Sequence, residues 1–199
     1  MAGFLARTRQ DPRAATAFRL AAAWGPGQTV AGRDALGHAV TVASILGCYI
    51  PDAPPQVVAA CLLHGIPRWP MADEDVYRFV EAQCGVEARL LLAALRDEQA
   101  VLAVPSDRAV EGHLRLLRAM PWLVHVTLAV KIVVLQYAIG RPARGRDTDA
   151  GCAPFTSSQV PYLRGLHDLA AEFGLQTMSA DYLRLLKQCL PVTTAAASR

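Results

Sequence analysis

Residues 59–70 read AACLLHGIPRWP, and the apolar run leading into His64 reaches back to Val57. The spacing predicts a buried helix over residues 55–66 with a histidine near its end. An imidazole at the end of a buried helix needs a hydrogen-bond partner. The bland reading is that His64 donates to a nearby carbonyl and does nothing else.

Outward from this helix the pattern stays helical. Periodicity predicts helices over residues 12–24, 35–49, 55–66, 72–83, 86–97, 107–120, 123–139, 157–173 and 179–190, and strand alternation bounded by hairpin turns is absent. The fold class is therefore all-α, a single helical domain over 1–199 with its core over about 12–190. WGPGQ at 24–28 breaks the first helix, IPDAPPQ at 50–56 separates the second from the third, and SAD at 179–181 reads as the cap of the last. The longest expected loop is GRPARGRDTDAGCAP at 140–154, and TTAAASR at 193–199 has little to pack.

Composition agrees. With 199 residues, 53% of them hydrophobic and 19% charged, the chain can bury a sizeable core. Twenty basic against 17 acidic side chains leave +3, spread as single arginines, which excludes a nucleic-acid footprint. Cys48, Cys61, Cys84, Cys152 and Cys189 show no CxxC spacing and fit a reducing cytoplasm. MAGFLARTRQDPR at the start is interrupted by charges before a signal core can form. LVHVTLAVKIVVLQYAI at 123–139 is short for a membrane span and carries Lys131 near its centre, so it reads as a central bundle helix.

The order of motifs resembles the HD hydrolase domain of the RelA/SpoT family. GQ at 27–28 and GRDALGHAVTVASIL at 32–46 look like the family's GEPYxxHPLAVAxIL, and VVAACLLHG at 57–65 looks like xxAALLHD. ADEDVYRFVEAQCGVEARLLLAAL at 72–95, HLRLLRAM at 113–120, VTLAVKIVVLQYA at 126–138 and LRGLHDLAAEFGLQTMSADYLRLLKQCL at 163–190 follow in the family's order. The resemblance runs from about residue 19 to 190. It implies an HD-type bundle, and it places the family's two metal histidines at His38 and His64.

The departures fall on the chemistry. The family holds a divalent ion, usually manganese, with two histidines and two aspartates. Here the aspartate positions are Gly65 and Val134, the acidic pair that handles water falls on Arg68 and Trp69, and a further asparagine falls on Ala138. Two imidazoles without a carboxylate make a weak site, so no metal and no other cofactor is expected. Together Gly65, Val134, Trp69 and Ala138 read as a site made roomier, drier and more aromatic.

His38 and His64 are accordingly the candidate catalytic pair, as proton-moving groups. Arg68, Trp69, Val134, Tyr137 and Gly65 are the candidate substrate-binding residues, with Arg68 for an anionic oxygen and Trp69 as an aromatic wall. Lys131 argues for fold alone. Helix-face His113 and His125 read as structural, His167 as surface, and Cys61 as an inert buried thiol.

Two functions compete. One is a metal-independent enzyme acting on a small, partly apolar metabolite by His-mediated cyclisation, isomerisation, elimination or decarboxylation, in bacterial specialised metabolism. The other is a non-catalytic nucleotide-, metabolite- or protein-binding module. The expected partner is a small molecule, with neither nucleic acid nor membrane involved. Self-association into a homodimer is left open.

Overall fold

A computed structural model of the chain describes residues 4, 6, 8, 10–66, 69–140 and 155–190. It is an all-α, single-domain bundle, with 79% of the described residues helical. The helices are α1 Pro12–Trp24, α2 Ala35–Tyr49, α3 Pro55–His64, α4 Asp73–Cys84, α5 Val86–Ala103, α6 Asp107–Ala119, α7 Pro121–Ile139, α8 Val160–Glu172 and α9 Gln176–Cys189, with one 3₁₀ turn at Ser157–Gln159.

Local chemistry sets the helix ends. Asp11 accepts from the Arg13 and Ala14 amides to start α1, Asp34 accepts from the Gly37 amide at 2.7 Å to start α2, and Ser106 caps α6 through the Ala109 amide. Gly85 at φ 98° lets α4 turn directly into α5, a conformation a side chain would resist.

The structure departs from the sequence reading in four places. Thr29–Val30 pairs antiparallel with Arg33–Asp34, a hairpin that the sequence reading lacks. Its turn residues, Ala31 and Gly32, have φ of 50° and 73°, the geometry of a tight hairpin turn. Helix α5 runs on to Ala103, because QAVLA lacks a breaker. SAD lies inside α9, which starts at Gln176 behind Leu175, so it caps nothing. At the N-terminal end the core reaches back to Phe4, whose ring lies where a side chain on residue 47 would be; Gly47 makes that contact possible. The expected loop from 141 on and the tail from 191 on lie outside the described residues.

Two apolar helices form the centre. In α3 every residue from Val57 to His64 is buried, and the helix packs on α1, α2 and α5. In α7 burial runs from Leu123 to Leu135 with one half-exposed position at His125 and another at Val134, and the helix packs on α2, α5, α6, α8 and α9. By length and composition α7 could cross a membrane, but most of it is inside the bundle. The C-terminal end of α3, the N-terminal half of α2 and the second half of α7 meet, and this junction holds the candidate site.

Candidate functional site

The two histidines are side by side. His38, on α2, and His64, the last residue of α3, have ring centroids 5.4 Å apart and are 1% and 8% exposed. His64 Nδ1 is 2.6 Å from the Cys61 carbonyl, which can only accept, so Nδ1 carries the proton and Nε2 presents a lone pair. That Nε2 has no partner, and neither does His38 Nδ1, although both atoms are buried. Burial pushes His38 down to about 4. It pushes His64 down to about 3, with the neighbouring His38 and then Lys131 adding to the effect against the Cys61 hydrogen bond. Both rings are therefore neutral near pH 7.

Tyr137 lies on the other side of His38. It is half-buried, its ring centroid is 5.8 Å from that of His38, and the exposed Arg33 guanidinium stacks over it at 5.1 Å. The four side chains make a column from solvent to interior, built from the hairpin, α7, α2 and α3. Val134, one turn before Tyr137 on α7, is half-buried beside them.

Gly65 plays a different part from the one expected. A Cβ there would lie 3.2 Å from His38 Cδ2 and 3.3 Å from Ala39 Cβ, so the missing side chain lets α2 close on the end of α3 and opens no space. Trp69 is also not an open aromatic wall. Arg96 sits 4.0 Å over its face, Tyr77 meets it edge-on at 5.4 Å, and it packs beside Ala21, Ala35 and Ile66. Arg68 lies outside the described residues.

A second buried polar cluster was not expected. Lys131 Nζ is 2.9 Å from Glu98 Oε1, and the Tyr162 hydroxyl donates to the same oxygen at 2.5 Å. Glu98, Lys131 and Tyr162 are 2%, 4% and 0% exposed, and His113, also buried, has its ring 5.8 Å from that of Tyr162. Glu98 lies one residue past the helix expected over 86–97, and the sequence reading assigns it no role. The signal that finds it is Lys131, because an ammonium at the centre of an all-round apolar helix requires a buried acid. The remaining candidates are structural: His125 bonds the Pro121 carbonyl against Trp122, and burial holds the Cys61 thiol far above its ordinary range.

The divalent ion that the resemblance implies does not fit these residues. Among the described residues no three His, Cys, Asp or Glu side chains converge. One aspartate position is Val134, and the other, Gly65, has His38 and Ala39 against it. A hard cation would be left with two imidazoles and no anionic oxygen. No family model, no curated protein and no solved structure matches the chain.

Proposed function

We propose that this chain is a metal-independent binding domain of HD-like descent, which holds a small, partly apolar molecule by hydrogen bonds to His38 and His64. The observation that carries this reading is the pair of buried, unpartnered nitrogens, His64 Nε2 and His38 Nδ1, on rings 5.4 Å apart. A buried polar atom without a partner costs on the order of 1–3 kcal/mol, and a ligand that supplies the partner recovers it on binding. With the Cys61 carbonyl fixing its tautomer, His64 offers an acceptor, so the ligand presents a hydroxyl or N–H there. Val134 and Tyr137 supply the apolar and aromatic surroundings.

The enzyme reading ranks second, and the fixed tautomer of His64 is the observation in its favour, since a base is held this way. Against it stands basicity. General acid/base catalysis works best when the group titrates near the working pH, and these rings sit at about 4 and about 3. His64→Gln separates the two readings, because an amide oxygen can accept a hydrogen bond but cannot carry a proton. The test is native mass spectrometry of protein purified from its source, to identify a bound small molecule. Binding of that molecule to His64→Gln within about tenfold of wild type, and loss of it from His64→Leu, is the expected result. Turnover of it that His64→Gln abolishes replaces the binding reading with the enzyme, and its retention by His64→Leu ends both.

A further inference from the structure

The histidines give one end of the ligand; the outer end of the column gives the other. Arg33 is exposed and stacked on Tyr137, and no carboxylate of the described residues lies within 4.0 Å of it. Its sequence neighbour Asp34 is already committed to the Gly37 amide at the start of α2. Exposed Arg13, Arg108 and Arg164 likewise have no ion pair among the described residues, whereas Arg78, Arg118 and Arg184 do, so what sets Arg33 apart is its place over Tyr137 at the head of the column. The Arg33 guanidinium carbon lies 5.1 Å from the Tyr137 ring centroid, and a guanidinium carries an N–H fork that matches a planar anion. Stacking alone at an exposed site is a weak anchor, worth about 0.5–1 kcal/mol.

Resting on the binding reading above, we propose that the ligand is an amphiphilic acid. Its carboxylate pairs with Arg33 at the surface, its aromatic or aliphatic body lies along Tyr137 and Val134, and its hydrogen-bond-donating far end reaches the histidines. The orientation follows from charge. An anion placed inside would face the lone pair of His64 Nε2 between two neutral rings, whereas at the surface it faces a permanent cation. The steps of 5.1 Å from the Arg33 guanidinium carbon to the Tyr137 ring, 5.8 Å from that ring to His38 and 5.4 Å from His38 to His64 set the length at about one ring plus a short chain. Entry requires the half-buried Tyr137 ring to swing aside, because it lies between Arg33 and His38.

Two probes that differ only in charge test this: 4-(4-hydroxyphenyl)butanoate and its primary amide, titrated into the full chain and followed by calorimetry and by the imidazole ¹⁵N resonances of His38 and His64. The acid should bind wild type at least about tenfold tighter than the amide, as a charge-assisted fork contact predicts. Arg33→Gln should bring the acid down to the amide's affinity without moving the amide, and Arg33→Lys should fall between. Equal binding of acid and amide to wild type, with both shifting the histidines, overturns the acid and leaves the histidine reading intact. Arg33-dependent binding that leaves both imidazoles unmoved overturns the oriented ligand together with the histidine reading. Binding of neither probe at millimolar concentration overturns the inference.

Discussion

Two buried polar clusters stand out among the described residues, and their centres are built on opposite terms, although His113 Nε2, at the edge of the first, is also without a partner. Around Glu98 the groups are charged and matched: an ammonium and a phenol share one carboxylate oxygen at 2.9 and 2.5 Å. Around His64 the groups are neutral and unmatched, with one hydrogen bond to Cys61 and two nitrogens facing nothing. A folded chain satisfies its buried polar groups. The matched centre is explained by the fold itself, whereas the unmatched one is what the proposed ligand would satisfy.

The largest effect expected is at the matched cluster. Removing Lys131 alone, as Lys131→Met, leaves Glu98 buried without its counter-charge and should cost about 3–5 kcal/mol. The triple change Glu98→Leu, Lys131→Met and Tyr162→Phe removes every partner together and should land near wild type or above it, because an apolar replacement of a buried ion pair is often neutral or stabilising. Urea unfolding of both variants measures this. A triple variant as unstable as the single one would mean that the cluster sits in space that apolar side chains cannot fill.

Acid should expose the unmatched cluster. His38 and His64 titrate near 6.5 when unfolded and at about 4 and about 3 when folded, so below pH 6.5 the unfolded state takes up protons that the folded state refuses. Their contribution to stability is complete above pH 6.5 and is lost as pH falls toward their folded values. Each ring removes up to about 1.4 kcal/mol per pH unit. Between pH 6.5 and 5, above the range where most carboxylates titrate, the pair should cost on the order of 3 kcal/mol. His113 and His125, also lowered by burial, add in the same direction. Denaturant unfolding at pH 7, 6 and 5 should show this slope, and the double variant His38→Leu, His64→Leu should flatten most of it.

The two clusters also differ in how far the sequence shows them. Helix positions were legible because apolar spacing and Gly or Pro punctuation are local, and α1 and α2 begin and end where the pattern says. The histidine pair was legible through motif order, which places two distant helices against each other. The hairpin was not, since strands of two residues carry no alternation to read. Glu98 was not either, because Arg96, Asp97 and Glu98 look alike on a helix and only the approach of α7 selects which one is buried. Gly65 was read as room in the site and Trp69 as its aromatic wall, whereas one lets α2 approach and the other packs beneath Arg96. Whether a small residue makes a hole depends on what neighbouring helices do with the room.

Gly65 yields the next largest effect. Gly65→Ala sets a methyl 3.2 Å from His38 and 3.3 Å from Ala39, forcing α2 to give by a few tenths of an ångström. Overpacking of this kind costs about 1–3 kcal/mol. Thermal unfolding should show it, together with a shift in the His38 ring resonances as the pair is pushed apart. A Gly65→Ala variant as stable as wild type, with unmoved His38 resonances, would restore the roomier site that the sequence suggests.

The smallest effect concerns Thr127, the hydroxyl that belongs to neither cluster. It is fully buried on α7, one turn before Lys131, and its Oγ1 has no partner. Val has the same shape without the hydroxyl, so Thr127→Val removes an unmatched polar atom and leaves the packing unchanged. Because an unsatisfied buried group is a penalty in the folded state, the variant should gain up to about 1 kcal/mol. The sign of the change is informative. A gain marks Thr127 as an orphan of the same kind as the two histidine nitrogens, in a place where no ligand reading is attached to it. The case for the histidines then rests on their pairing and on the column leading to Arg33. A loss of about 1 kcal/mol would mean instead that the hydroxyl bonds back to its own helix, and Thr127 would leave the group of buried unmatched atoms, in which His113 Nε2 would still stand beside the two histidine nitrogens.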